Sequence, residues 1–139
     1  MPEELVGRYR LVLDLGTLEH CFNIGQGMMN AAQAVVPGGY VVHTNPMSMF
    51  NHGFYNLNPT FYYDFYTQNG FEILFLSALQ NTPGNCDFRE VPPVARFGST
   101  LENAALVVVA RRKLDQPIVW PVQSKYRAAI AAASARKLA

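Results

Sequence analysis

The sequence predicts an α/β domain that opens with a parallel strand, helix, strand unit, and three observations carry that expectation. Arg10-Leu11-Val12-Leu13-Asp14-Leu15-Gly16-Thr17-Leu18-Glu19-His20 is an apolar run that ends in ionisable residues. That is the pattern of a parallel strand whose carboxyl end opens onto a ligand site in an open sheet. Phe22, Met29, Ala32 and Val36 then recur at helical spacing. Pro37-Gly38-Gly39 ends the helical pattern, and Tyr40-Val41-Val42-His43-Thr44 follows as a second buried strand.

The remaining elements follow in order. The first strand covers Leu11 to Asp14, and the helix runs from about Asn23 to Val36, weakened by Gly25 and Gly27 without being forbidden. Asn45 to Asn58 is an aromatic, asparagine-rich loop. Asn58 is placed to cap a second helix that starts at Pro59, where the missing N–H costs nothing, and that stops at Asn69-Gly70. Phe71 to Leu79 is a third strand, residues 80 to 103 are an irregular excursion with Pro83-Gly84-Asn85 and Pro92-Pro93, and Ala105 to Ala110 is an apolar, interior fourth strand. After Pro117 and Pro121 an Ala-rich helix is expected from about Gln123 to Lys137.

Composition narrows the class. Of 139 residues, 50% are hydrophobic and 15% charged, which argues for one globular domain. A net charge of +1 gives no electrostatic case for nucleic acid. Cys21 and Cys86 are far apart, so neither a zinc cluster nor a disulfide framework is signalled, and Cys21 reads as a small buried residue. Met1-Pro2-Glu3-Glu4 is not the start of a signal peptide, and the run Ala104 to Ala110 is too short to span a bilayer. A cytoplasmic protein with no membrane partner is expected.

At this point the residues resemble a family. Tyr9 through His20 is similar to the strand motif "yDlVldlGtLEH" of class I S-adenosylmethionine-dependent methyltransferases, with Arg10 where the family usually has Asp. Val36 to Val42 resembles its "kPGGyvv" strand, and Asn51-His52-Gly53-Phe54-Tyr55-Asn56-Leu57-Asn58-Pro59-Thr60 resembles its acceptor loop. The resemblance covers Leu5 to Gly70 well and Phe71 to Arg111 loosely. It implies the carboxyl-terminal, acceptor-side half of a Rossmann-like methyltransferase sheet: strands equivalent to the fourth, fifth, sixth and seventh, with flanking helices and a closing antiparallel hairpin. On this reading residues 1–111 are that half-domain and residues 112–139 an extension.

The same resemblance implies that Asp14, Leu15, Gly16 and Leu18 touch the methionine side of S-adenosylmethionine. The family's cofactor machinery, a Gly-rich turn after the first strand and an acid ending the second, has no counterpart here. Gly25-Gln26-Gly27 lies inside a helical pattern rather than after a strand. Cofactor binding is therefore expected only if the missing half is supplied.

The candidate chemistry lies at the strand ends. His20, His52 and Glu19 are the candidate catalytic residues, a histidine being the natural base for an acceptor hydroxyl. Asn51, Phe54 and Tyr55, in the loop, are candidates for binding a small-molecule or sugar acceptor. His43 reads as a hydrogen-bonded core residue. Some relatives hold a divalent ion at this turn with Glu-x-x-Glu-His, but Gly16 replaces the first glutamate. Glu19 and His20 with a distant His43 make a poor site by spacing, so no metal is expected. Phe61 and Phe65, at i and i+4, are expected to pack the second helix on the sheet. Lys125, Arg127, Arg136 and Lys137 read as a solvated basic face.

Two functions remain. One is an O-methyltransferase half completed by another polypeptide. The other is a non-enzymatic remnant or assembly subunit whose first strand, with an open edge at Leu11-Val12-Leu13, pairs in a homodimer or docks on a partner.

Overall fold

In the computed structural model, which describes residues 1–99 and 101–127, a five-stranded open sheet carries two helices. β1 (Tyr9–Leu15), α1 (Ile24–Ala34) and β2 (Val35–Pro46) come first. Then follow α2 (Pro59–Gln68), β3 (Phe71–Thr82), β4 (Asn85–Glu90) and β5 (Ala105–Arg112). The sheet order is β1-β2-β5-β3-β4. β1 and β2 are parallel, and every other pairing is antiparallel. The fold is thus mixed α/β. Of the expected elements, the parallel pair joined by a helix and the interior position of the last strand are both present.

Local chemistry explains where the boundaries differ from the sequence reading. α1 is capped by Asn23, whose side chain accepts a hydrogen bond from Gln26 N–H at 3.2 Å. It ends at Ala34 rather than at Val36, because the residues before a proline are pushed out of the helical region. Pro37-Gly38-Gly39 therefore lies within β2, where residues 36–39 bulge between the Tyr9↔Val35 and Leu11↔Tyr40 pairs. A side chain at Gly39 would stand 2.9 Å from the Arg10 carbonyl oxygen, so the bulge presses its backbone directly on β1. Phe22, assigned to the helical pattern, precedes α1 and is 79% exposed.

The expected irregular excursion is partly a hairpin. β3 continues to Thr82, turns at Pro83-Gly84 and returns as β4, with Thr82 opposite Asn85. Gly84 has φ +81°, as the second corner of a turn led by proline demands. Of the Ala-rich helix expected over residues 123–137, residues 124–127 are helical, and the remainder, with Arg136 and Lys137, lies outside the described residues. Lys125 and Arg127 are exposed.

Both helices cover one face of the sheet. Val41, Leu106, Val108, Ala110 and Ala78 point to that face and join Met28, Ala32, Tyr62, Phe65 and Tyr66 in the core. Phe65 is buried in the core and the half-buried Phe61 packs against it, as expected, while Tyr62 and Tyr66 are a second, fully buried pair one turn apart on α2. The opposite face carries Leu11, Leu13, Leu15, Tyr40 and Phe75, all exposed. β1 itself is an edge strand. An apolar face beside an unpaired strand edge is a surface that soluble proteins normally cover. No described helix is long and apolar enough to cross a membrane.

Candidate functional site

The site is built at the carboxyl end of the parallel pair. Gly16, at φ +86°, turns the chain sharply after β1. Asp14 fastens that turn: its Oδ1 accepts from the N–H groups of Thr17 and Leu18, both at 3.1 Å. The short 3-10 turn Leu18–His20 follows and buries Leu18 and Glu19 while leaving His20 outside.

Two polar chains run side by side beneath this turn. In one, Asp14 Oδ2 lies 2.7 Å from His43 Nδ1, and His43 Nε2 lies 2.6 Å from the Tyr66 hydroxyl. The arrangement fits a Tyr66 O–H donating to Nε2 and an Nδ1–H donating to the carboxylate. In the other, the Tyr62 hydroxyl donates to Asn45 Oδ1, and Asn45 Nδ2 donates to Glu19 Oε2 at 2.9 Å. The tyrosines are one turn apart on α2, and His43 and Asn45 are two apart on β2, so helix and strand periods place the two chains in parallel. All six side chains are buried.

Electrostatics agree with this wiring. Burial pushes the Asp14 carboxyl up, but the hydrogen bond from His43, with help from those of Asn45 and Leu18, outweighs it and holds the carboxyl below its ordinary value. Burial raises both tyrosine hydroxyls well above their ordinary range, reinforced by the Asp14 charge, so both remain donors.

Glu19 ends the second chain on an unfinished note. Its side chain is fully buried, Oε2 is satisfied by Asn45, and Oε1 has no hydrogen-bond partner among the described residues. His20 Nε2 stands 3.6 Å from Oε1 and His52 Nε2 stands 3.5 Å from it. The histidine side chains are 50% and 47% exposed, and their ring centroids are 5.3 Å apart. His52 reaches this place because the loop is pinned on Glu19 itself: Phe54 N–H donates to the Glu19 carbonyl at 2.9 Å. A side chain at Gly53 would lie 2.9 Å from that same oxygen, so only glycine permits the approach. Tyr55 anchors the loop from its other side, donating to the Phe22 carbonyl at 2.8 Å.

Compared with known proteins, the chain matches no family model and no curated protein.

The structure thus brings three of the predicted residues, Glu19, His20 and His52, into one cluster. Asp14 and Leu18 are buried structural members of the turn, and Leu15 and Gly16 border it, with Leu15 63% exposed. Asn51 takes a left-handed backbone, φ 59°, at the loop tip, and Phe54 lies edge-on to Phe22 in an exposed pair. The grooves of about 320 and 440 Å³ on the surface are built round Asn58, Thr60 and Gln123, and neither includes Phe54 or Tyr55. Cys21 is exposed, with its thiol 3.6 Å from the Thr17 carbonyl, and is not the buried packing residue expected. By spacing, only the distant His43 stood as a third partner for Glu19 and His20, and no metal was expected. His43 belongs to the Asp14–Tyr66 chain, and the side chains of ligating type that come together are Glu19, His20 and His52. Asn45, Tyr62 and Tyr66 were missed as site-supporting residues, although His43-x-Asn45 on a strand and Tyr62-x-x-x-Tyr66 on a helix each mark a shared face.

Proposed function

We propose that this chain forms the acceptor-side portion of an S-adenosylmethionine-dependent methyltransferase-like domain. Its chemistry is O-methyl transfer to a small molecule or sugar, with most of the cofactor held by residues outside these 139. The observation that carries the reading is the placement of Asp14, Glu19 and His20 at the carboxyl end of a parallel strand pair, where open α/β sheets bind ligands. The parallel pair closed by antiparallel β5 and β3 also supports the expected half-sheet with its closing hairpin. In methyl transfer the protein mainly aligns acceptor and methyl group, and it accepts one proton when the acceptor is a hydroxyl. The Glu19–His20–His52 cluster is the group placed for that role.

The turn at Gly16 to Leu18 offers backbone and a Leu15 side chain to the methionine end of a cofactor and little else. Calorimetry with S-adenosylmethionine tests this division. The isolated chain is expected to show no saturable binding in the micromolar range, and micromolar binding overturns the claim that most of the cofactor site lies elsewhere.

A second reading is favoured by the exposed apolar face and by the edge position of β1 among the described residues. In it the chain is an assembly subunit that dimerises or docks on a partner through β1. Sedimentation at micromolar concentration separates the two states. A dimer supports this reading, and a stably folded monomer contradicts it.

A further inference from the structure

We propose that Glu19, His20 and His52 form a binding site for one Zn²⁺-type divalent transition-metal ion, with a coordination position open to an oxygen ligand. The inference stands on the geometry of the cluster, and it holds whether or not the methyltransferase reading does.

One ligand atom from each residue lies within 4.8 Å of the others, although the residues come from two separate segments, the turn after β1 and the loop after β2. The two contacts to Glu19 Oε1, 3.6 Å from His20 and 3.5 Å from His52, are too long for charge-assisted hydrogen bonds, which close to about 2.7–2.9 Å. They are close to what a shared cation imposes. Ligands bound at the 2.0–2.1 Å typical of Zn²⁺ stand roughly 3.3–3.4 Å apart along the edges of a tetrahedron. An octahedral site with similar bonds brings neighbours to roughly 3.0 Å, a poorer match.

The second and independent observation is the carboxylate itself. Glu19 is fully buried, and Oε1, aimed between the two imidazoles, has no hydrogen-bond partner among the described residues. Leaving a buried carboxylate oxygen unpaired is costly, and a cation at the midpoint of the three atoms removes that cost. The surroundings hold the ligand as metal sites do. Oε2 is fixed by the Asn45 amide, which is held in turn by the Tyr62 hydroxyl. The Phe54 N–H on the Glu19 carbonyl and the close pass of Gly53 fix His52 against the same residue. Two imidazoles and one carboxylate are the donor set of a catalytic zinc site that keeps a fourth position for water or substrate oxygen. Half-exposed histidine rings leave that position facing solvent. Glu19 and His20 with a distant His43 made a poor site by spacing; the loop after β2 supplies His52 instead.

The test is calorimetric titration of the full chain with ZnCl₂, without cofactor or acceptor, repeated with CoCl₂ to read tetrahedral geometry from its visible absorption. One equivalent is expected to bind with micromolar or tighter affinity. His20→Ala and His52→Ala are each expected to weaken binding by at least about tenfold. Cys21→Ala and Cys86→Ala are expected to leave it unchanged. Zn²⁺ is expected to raise the thermal midpoint of the parent chain and not that of the double histidine variant, whose fold is checked by circular dichroism. Absence of binding at 100-fold excess over the micromolar range, or binding that survives the double histidine variant, overturns the proposal.

Discussion

His43 Nδ1 lies 2.7 Å from Asp14 Oδ2 between the ends of two parallel strands, and neither side chain faces solvent. This pair ties the site-bearing turn to the centre of the sheet. Asp14 holds the Thr17 and Leu18 amides with its other oxygen, so one carboxylate sets both the turn and the histidine. Removing it by Asp14→Ala leaves a buried imidazole and two amides unpaired. The expected loss is about 3–5 kcal/mol, measured by denaturant unfolding. Tyr66→Phe deletes only the far end of the chain and is expected to cost about 1–3 kcal/mol.

The same pair makes stability depend on acid. The Asp14 carboxyl is held below its ordinary value of 3.8, so the folded state prefers the ionised form. Its contribution is complete above that ordinary value and is lost as pH falls through the lower, folded value. Unfolding free energies measured from pH 6 down to pH 2 are expected to fall at the acid end, and Asp14→Asn is expected to flatten that fall.

Gly53 sits with its Cα against Glu19, and an added Cβ meets the Glu19 backbone oxygen at 2.9 Å and its Cγ at 3.0 Å. Gly53→Ala is expected to lift the loop and to cost about 1–3 kcal/mol. In amide spectra, the change is expected to concentrate at Glu19, His20 and residues 51–55. A change confined to residue 53 contradicts the pinned-loop account.

Leu13 is 56% exposed on the face that no described helix covers. Leu13→Lys is expected to alter unfolding free energy by no more than about 0.5 kcal/mol while reducing self-association. Sedimentation and denaturant unfolding of the same sample read both quantities. A loss of several kcal/mol with no change in association shows instead that this face is covered within the chain.

Much of the scaffold was legible because its signals are local. The apolar run into Asp14, the break at Pro37-Gly38-Gly39 and Asn58-Pro59 each mark an element through one physical preference. β4 escaped notice because Asn85 to Glu90 is exposed throughout and has no hydrophobic alternation, although Pro83-Gly84 marked its turn. The site was half legible. Glu19 and His20 announce themselves at a strand end, but His52 joins them only through a loop whose path is set by tertiary contacts. The roles of Tyr62 and Tyr66 are not legible, since nothing in a sequence tells a ring that only packs from one whose hydroxyl completes a hydrogen-bonded chain.

The central claim is that the turn after β1 meets the methionine end of a cofactor while the rest of that cofactor is held elsewhere. Amide chemical shifts of the labelled chain, followed during titration with S-adenosylhomocysteine into the millimolar range, test it most directly. The account predicts weak, unsaturated shifts confined to Asp14, Leu15, Gly16, Thr17 and Leu18. Shifts that are absent throughout the titration, or that centre on another part of the molecule, contradict it.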